Sequence, residues 1–388
     1  MTEKPHNKPE CLNFSSGPCT KRPGWSVDVL KNASIGRSHR SPEGKLKLNS
    51  AIDLTRELLE IPEDYKIGIV PASDTGAIEM AMWNLLGSRP VEVLSWEVFG
   101  KDWKKDVEEQ LKIPGSTYHD VEFGIIPDLN KINFDNDIIF TWNGTTSGAK
   151  VPNADWIPNK RKGLTLCDAT SAVFAQELDW SKLDATTFSW QKVLGGEAAH
   201  GILILSPRAI ELLENYSPSW PIPKIFRLTK NKKLIEGVFR GETLNTPSML
   251  CVEDYIDALE WVKSVGGYQG TIKRADHNFS IIKKWVDQSN WVDFLCESEE
   301  NLSNTSVCLK FSNNLSKLNE LDQRAFAKAI GKLLNDEKVA YDIVNHRSAP
   351  PGLRIWAGAT VESDDIAKLL PWLDWAFKKI NKSGAENA

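Results

Sequence analysis

The sequence predicts an α/β protein: a mostly parallel sheet with helices on both faces, followed by a smaller α+β unit. Three observations carry this. Short apolar runs of strand type alternate with helix-periodic segments from about residue 45 to 205, the pattern of βαβ units. Polar, Gly-containing turns follow the C-terminal ends of several of those runs. The texture changes after NTPSML at 245–250, where helical stretches and isolated short strands replace the alternation. A chain of 388 residues is long enough for two such units.

The elements follow in order. Residues 1–20 are polar and Pro-rich and read as an extended arm. NSAIDLTRELLEI (49–61) is helix-periodic, KIGIVP (66–71) strand-like, and TGAIEMAMWNLL (75–86) helical with apolar spacing near 3.6. VEVLS (91–95) is a strand and FGKDWKKDVEEQL (99–111) a helix. DIIFTWN (137–143), LTLCD (164–168), ATTFSW (185–190) and GILIL (201–205) are further strands. Residues 249–289 read as two helices broken at VGGYQG. SVCLKF (306–311), VAYDIV and LRIWAG read as strands, ELDQRAFAKAIGKLL (320–334) as a helix, with a last helix near 362–380. The expected division is an arm at 1–15, a large unit at 16–250 and a C-terminal unit at 251–388.

Composition narrows the function classes. Hydrophobic residues make up 41% and charged residues 26%, ordinary for a globular protein. A net charge of −5 offers no electrostatic footprint for nucleic acid. Six scattered cysteines without a CxxC pair, and six histidines without ligand spacing, argue against a zinc site or a disulfide framework. The first 25 residues lack an apolar signal core, and no run approaches ~18 apolar residues. A cytoplasmic protein without a membrane span is expected. The 15 tryptophans are expected mostly in the core.

The segment SWQKVLGGE (189–197) carries the chemistry, with LCDATSA (166–172) upstream. Lys192 lies between two strands beside a Gly-Gly loop, and Asp168 ends another strand. An amine and a carboxylate thus fall at the C-terminal mouths of strands, where open α/β sheets bind ligands. A lysine able to form a Schiff base, with an aspartate for a pyridinium nitrogen, is the pairing that pyridoxal phosphate needs. A lone loop lysine is ordinarily a solvated charge, and a lone Asp after a strand ordinarily a cap or turn residue. The rest of the chain has to decide between these.

PASDTGAIEMAMW (71–83) passes from strand to helix, and a helix start offers free N–H groups to a phosphate. Ser73 or Asp74 as a plain helix cap is the competing reading. TWNGTTSGAKVPN (141–153) is a polar loop after a strand, with Thr145 and Thr146 as hydroxyl donors or a simple Asn-Gly turn. Arg37, His39 and Arg40 cluster in SIGRSHRSPEG (34–44), and His346, Arg347 and Arg354 in NHRSAPPGLRIW (345–356). Two such clusters suit a substrate with two anionic groups, because the Arg fork binds carboxylate and phosphate.

In this order NFSSGP (13–18), SHR (38–40), DATSA (168–172), QK before a Gly-containing loop (191–196), NTP (245–247) and HR…LR (346–354) resemble the phosphoserine aminotransferase family. These are fold-type-I pyridoxal-phosphate enzymes of the class V aminotransferase group. The resemblance runs from about residue 12 to 380. It implies a seven-stranded, mostly parallel sheet, a homodimer with shared active sites, and pyridoxal 5′-phosphate as cofactor. It implies Lys192 as the Schiff-base lysine and Asp168 as partner of the ring nitrogen. Trp103 would stack on the ring, with Phe99 as competitor, and Thr145 would lie near O3′. Asp74, Thr75 and Gln191 would serve the cofactor phosphate, joined by Asn245 and Thr246 from the neighbouring subunit. His39, Arg40, His346 and Arg347 match substrate-phosphate positions, and Arg354 the α-carboxylate position.

The implied reaction is transamination between L-glutamate and 3-phosphohydroxypyruvate in serine biosynthesis, with a related reaction of pyridoxine biosynthesis open. Another class V aminotransferase of alanine- or serine-glyoxylate type, or a non-catalytic relative, is the alternative. Some members carry an Arg at the phosphate turn where this chain has Ser-Asp-Thr, which leaves the phosphate contacts open there.

Overall fold

The computed structural model describes residues 3–386. Residues 1–2 of the expected arm and 387–388 of the expected C-terminal unit lie outside the described residues. The strands are β1 (Lys66–Pro71), β2 (Val91–Ser95), β3 (Thr117–Asp120), β4 (Asp137–Thr141), β5 (Asn143–Gly144), β6 (Ala149–Lys150), β7 (Thr165–Asp168), β8 (Ala185–Ser189), β9 (His200–Leu205), β10 (Thr229–Lys230), β11 (Lys233–Leu234), β12 (Val292–Phe294), β13 (Ser306–Phe311) and β14 (Leu353–Trp356). The helices are α1 (Pro42–Leu58), α2 (Ser73–Leu85), α3 (Val98–Lys105), α4 (Pro207–Asn215), α5 (Met249–Ser264), α6 (Gly267–Gln288), α7 (Glu320–Asp336) and α8 (Ser363–Glu386).

Seven strands form one sheet in the order β1-β9-β8-β7-β4-β2-β3. β3, β2, β4, β7 and β8 run parallel, and β9 is antiparallel to both β8 and β1. Strands β2, β4, β7, β8 and β9 are buried at every residue, because helices cover both faces and alternation disappears. A second sheet, β12-β13-β14, is antiparallel; α6 packs on β12, and α8 packs on α6 and α7. This is the expected mostly parallel seven-stranded sheet with an α+β appendage.

Register fixes the geometry that matters. Thr141, Asp168 and Thr187 are direct neighbours across β4, β7 and β8. The last residues of β4 and β7 therefore sit side by side, next to Thr187 near the end of β8, at the sheet edge where ligands bind. The second sheet reaches the same edge: Ser303 N donates to Gly148 O (2.9 Å) and Ser306 Oγ to Thr145 O (2.6 Å). Helix α5 packs on α1, where the Thr55 and Tyr255 hydroxyls bond at 2.8 Å. It ends where Gly266 takes a positive φ of 100°, as a helix C-terminus favours.

Some elements differ from the expectation. α1 begins at Pro42, not near 49, because Ser41 accepts from Gly44 N and Pro42 takes the first helical position. The expected helix 99–111 turns π-helical at Asp106–Leu111. VAYDIV forms only isolated bridges, at Tyr341 to Asn13 and Val344 to Leu353; Asp342 at φ 57° interrupts the extended run. β3 is polar, TYHD, and had no apolar signal.

At the opposite end of β8, Asp184 is 2% exposed and accepts from Arg161 Nη2 (3.0 Å), Arg208 Nη1 (2.9 Å), Ser206 Oγ (2.9 Å) and Thr165 N (3.0 Å). It joins the starts of β7 and β8 to the end of β9. Asp184→Ala leaves Arg161 buried without its carboxylate and is expected to cost about 3–5 kcal/mol, read by denaturant unfolding. A loss below about 1 kcal/mol, the level of an exposed pair, would contradict this role.

Candidate active site

Lys192 is held by what surrounds it. β8 ends at Ser189, whose hydroxyl donates to His200 O (3.0 Å). Trp190 then stacks on Tyr255 at 4.5 Å and 8°, and the chain turns into the Gly-Gly loop. Gly195 has φ 63°, and a Cβ there would strike Thr20 O. Cys19 N donates to Gln191 O at 2.7 Å, so residues 16–20 lie across the loop as a strap. Lys192 is 9% exposed. Its amine donates to Ser16 O, and a Cβ on Gly17 would collide with it. Burial pushes the amine pKa down from its ordinary value, which favours the neutral, nucleophilic form.

Lys192 lines a cavity of about 260 Å³ with Asp168, Thr145, Gln191, Asp74, Thr75, Phe99 and Trp103. Asp168 accepts from Thr170 N at 3.0 Å. Thr145 Oγ1 donates to Ser171 Oγ (2.9 Å), Asn143 Nδ2 also donates to Ser171 Oγ (2.8 Å), and Gln176 Nε2 donates to Asn143 Oδ1 (3.0 Å). Thr145 is thus fixed by a buried polar chain.

At the start of α2, Ala72 (φ 67°) and Ser73 (φ 58°) are both left-handed. No side chain caps the helix, so the plain-cap reading of Ser73 or Asp74 fails. Ser73 Oγ instead accepts from Gln191 Nε2 at 2.9 Å. An uncapped helix start facing a cavity is a ready anion site. Across the cavity, Phe99 is half-buried and Trp103 buried, its Nε1 without a partner. Both rings line the cavity, as the competing assignments expected.

Arg354 lines an adjoining cavity of about 730 Å³ that shares Gly17 and Pro18 with the first. Its buried Nε has no partner. His346 is pushed below its ordinary pKa by burial and then by the charges of Arg354 and Arg347, with Lys192 also acting on it. His39 and Arg40 lie elsewhere, in a cavity of about 360 Å³ with Lys45, Thr243 and Leu244. Within one chain His39, Arg40, Asn245 and Thr246 do not line the Lys192 cavity; Asn245 and Thr246 follow directly on Thr243 and Leu244. Among the described residues no cluster of His, Cys, Asp or Glu could hold a metal, and no helix is long and apolar enough to cross a membrane.

Sequence reasoning missed Glu97, Ser171 and Gln176. Glu97 is fully buried; it accepts from Gly100 N (2.7 Å) as the cap of α3 and from Thr146 Oγ1 (2.8 Å). Its signal was a carboxylate three residues before Gly100 at a helix start.

No protein-family model matches the chain. It is 54% identical over 374 residues to a phosphoserine aminotransferase of Methanosarcina mazei, covering 96% of this chain and 99% of that protein. The fold is similar to a pyridoxal-phosphate-bound phosphoserine aminotransferase of Trichomonas vaginalis, with TM-score 0.74, 16% identity, and 94% and 100% of the two chains covered. An alanine–glyoxylate aminotransferase of Nostoc sp. is as similar in fold, with TM-score 0.76, 15% identity and 97% of each chain covered. Fold alone does not separate these activities; the 54% identity does.

Burial pushes the Glu97 carboxyl up to about 7, from an ordinary 4.5. The folded state therefore binds more protons than the unfolded state between those values, and stability falls as pH rises through the window. The whole effect is on the order of 3 kcal/mol. Urea unfolding across that range is expected to show the decline, and Glu97→Gln to flatten it; an unchanged slope in the variant would sink this assignment.

Proposed function

The chain belongs to the phosphoserine aminotransferase family, whose cofactor is pyridoxal 5′-phosphate, and from that premise we propose its substrates and the role of each site residue. The reaction is reversible transfer of an amino group from L-glutamate to 3-phosphohydroxypyruvate, giving 2-oxoglutarate and O-phospho-L-serine. The observation that carries this is the meeting, in one cavity, of a buried amine, an aspartate, aromatic rings and an uncapped helix start.

The residues present fit the cofactor. Lys192, desolvated and pushed toward neutrality, is the amine that would attach it. Asp168 would face the ring nitrogen, Trp103 or Phe99 the ring face, and Thr145 the ring hydroxyl. The start of α2, with Thr75 and Gln191, would take the phosphate. When bound, the cofactor supplies an electron sink for the electrons left at a substrate carbon. Lys192 takes the proton from the substrate Cα and returns it, a role for which a neutral amine is suited. Arg354 grips the α-carboxylate common to both substrates, with His346 and Arg347 beside it. The strap at 16–20 limits water around Lys192.

We infer a homodimer from the remaining site residues. His39 and Arg40 line a cavity separate from that of their own Lys192, together with Thr243 and Leu244, which directly precede Asn245 and Thr246. A partner subunit would present them to the neighbouring cavity, where Arg40 and His39 would meet the substrate phosphate and Asn245 and Thr246 that of the cofactor. We place the enzyme in the cytoplasm, in serine biosynthesis, with the phosphorylated hydroxythreonine of pyridoxine biosynthesis as a second substrate. The alanine–glyoxylate alternative uses unphosphorylated substrates and leaves the second basic cluster without a task.

The test is a panel of steady-state rates with phosphorylated and unphosphorylated keto acids. Phosphohydroxypyruvate is expected to exceed hydroxypyruvate by about 100-fold or more in kcat/KM, the level of a lost charge-assisted bond pair. Lys192→Ala is expected to lose turnover and the visible absorbance of the loaded protein. Equal rates for the two keto acids would refute the substrate proposal.

Hybrid dimers test the shared site. Lys192→Ala chains mixed with chains disabled at Arg40 and Thr246 are expected to regain activity, because each hybrid contains one intact composite site. Full activity at concentrations where sedimentation finds only monomer excludes the arrangement.

A further inference from the structure

Asp74 is the anomaly of the site. It opens α2, where an anion is to be bound, yet it carries a carboxyl of its own. The side chain is 7% exposed, and Oδ1 has no hydrogen-bond partner. α2 lies across β7 and β8; Asp74, Asp168 and Thr170 line one cavity, and Asp168 and the Thr170 and Thr187 hydroxyls all act on the Asp74 carboxyl. Both hydroxyls are buried and make no other hydrogen bond. Thr187 is the direct neighbour of Asp168 across the β7–β8 ladder. Two carboxyls therefore share one buried pocket with these hydroxyls, on a cavity that Lys192 also lines.

Two like charges in one buried site cannot both persist, and one group keeps a proton. We propose that Asp74 bears that proton at neutral pH and, as a neutral donor, holds the Asp168 carboxylate in place for the ring nitrogen, rather than serving as a ligand of the cofactor phosphate. This rests on the cofactor reading above. The surroundings bear it out. Burial first, and then Asp168, push the Asp74 carboxyl well above its ordinary range, against a smaller pull downward from the Thr187 and Thr170 hydroxyls. From β7, the Cys167 thiol is also driven up by burial and by both carboxyls. Lys192 and Glu97, from the loops after β8 and β2, each act on Asp168 or feel it. The partial positive charge of the α2 start works the other way, but a phosphate bound there would claim that charge for itself. A neutral Asp74 leaves the helix start free for the phosphate, as a chain with Ser-Asp-Thr at this turn requires.

The test uses full-length protein with ¹³C-labelled aspartate carboxyls, cofactor-free and loaded, the Asp74 signal being the one missing from Asp74→Asn. At pH 7 its carboxyl carbon is expected at the carboxylic-acid position. Asp74→Asn, a neutral donor of the same shape, is expected to keep pyridoxal phosphate affinity within about 3-fold, whereas Asp74→Ala loses about 10-fold or more. The pH profile of the visible band is expected to shift in Asp74→Ala and not in Asp74→Asn. A carboxylate signal at pH 7, equal losses in the two variants, or about 10-fold tighter cofactor binding by Asp74→Asn would each overturn the proposal. The resonance is read without cofactor, so it decides Asp74 even where the chain fails to bind pyridoxal phosphate, an outcome that would count against the cofactor reading alone.

Discussion

The site depends on an amine kept out of water. A lysine in a low-dielectric setting gives up its proton more readily, but only while something continues to exclude solvent. Here that cover comes from sequence-distant parts. The strap at 16–20 lies over the loop, with Ser16 O accepting from the amine and Cys19 N bonded to Gln191 O. Gly17 and Gly195 are what the close passage needs, since a Cβ at either would meet Lys192 or Thr20.

The sheet supplies the other half of the arrangement. Parallel β4 and β7 end in register at Thr141 and Asp168, beside Thr187 near the end of β8, so their outgoing loops start close together. The loop at 143–150 is then seized from the far side by the second sheet, through Ser303 and Ser306. Thr145 is consequently located by both sheets at once. Glu97 performs a similar joining on the aromatic side, capping α3 while holding Thr146. Electrostatic cost is accepted there, because a carboxyl with no exposure has little to gain from being ionised.

Much of this was legible in the sequence, and what was not has physical causes. Strands buried on both faces are continuous apolar runs, and these were found. The polar edge strand at 117–120 had no such run. The start of α1 was announced by Ser-Pro, but apolar periodicity begins later and drew the boundary to 49. Lys192, Asp168, Thr145 and Gln191 were visible as polar residues at strand ends and do line one cavity. That His39 and Arg40 line a separate cavity within the chain was not readable from local spacing. Ser171 and Gln176 escaped because their task is to hold other polar groups, and no local pattern marks that.

The strap has a consequence for the order in which the molecule is completed. Leu12 O accepts from Tyr341 N, Phe14 O from Trp356 N, and Gln191 O from Cys19 N. Residues 12–19 are thus seated on strand and loop positions far later in the sequence, at 191, 341 and 356. Such contacts of high sequence separation form late, since long loops must close first. A growing chain can already have its seven-stranded sheet while Lys192 still lies open to solvent and fully charged. The reactive amine comes into being only when residues 12–19 have met the loop at 191 and the backbone at 341 and 356.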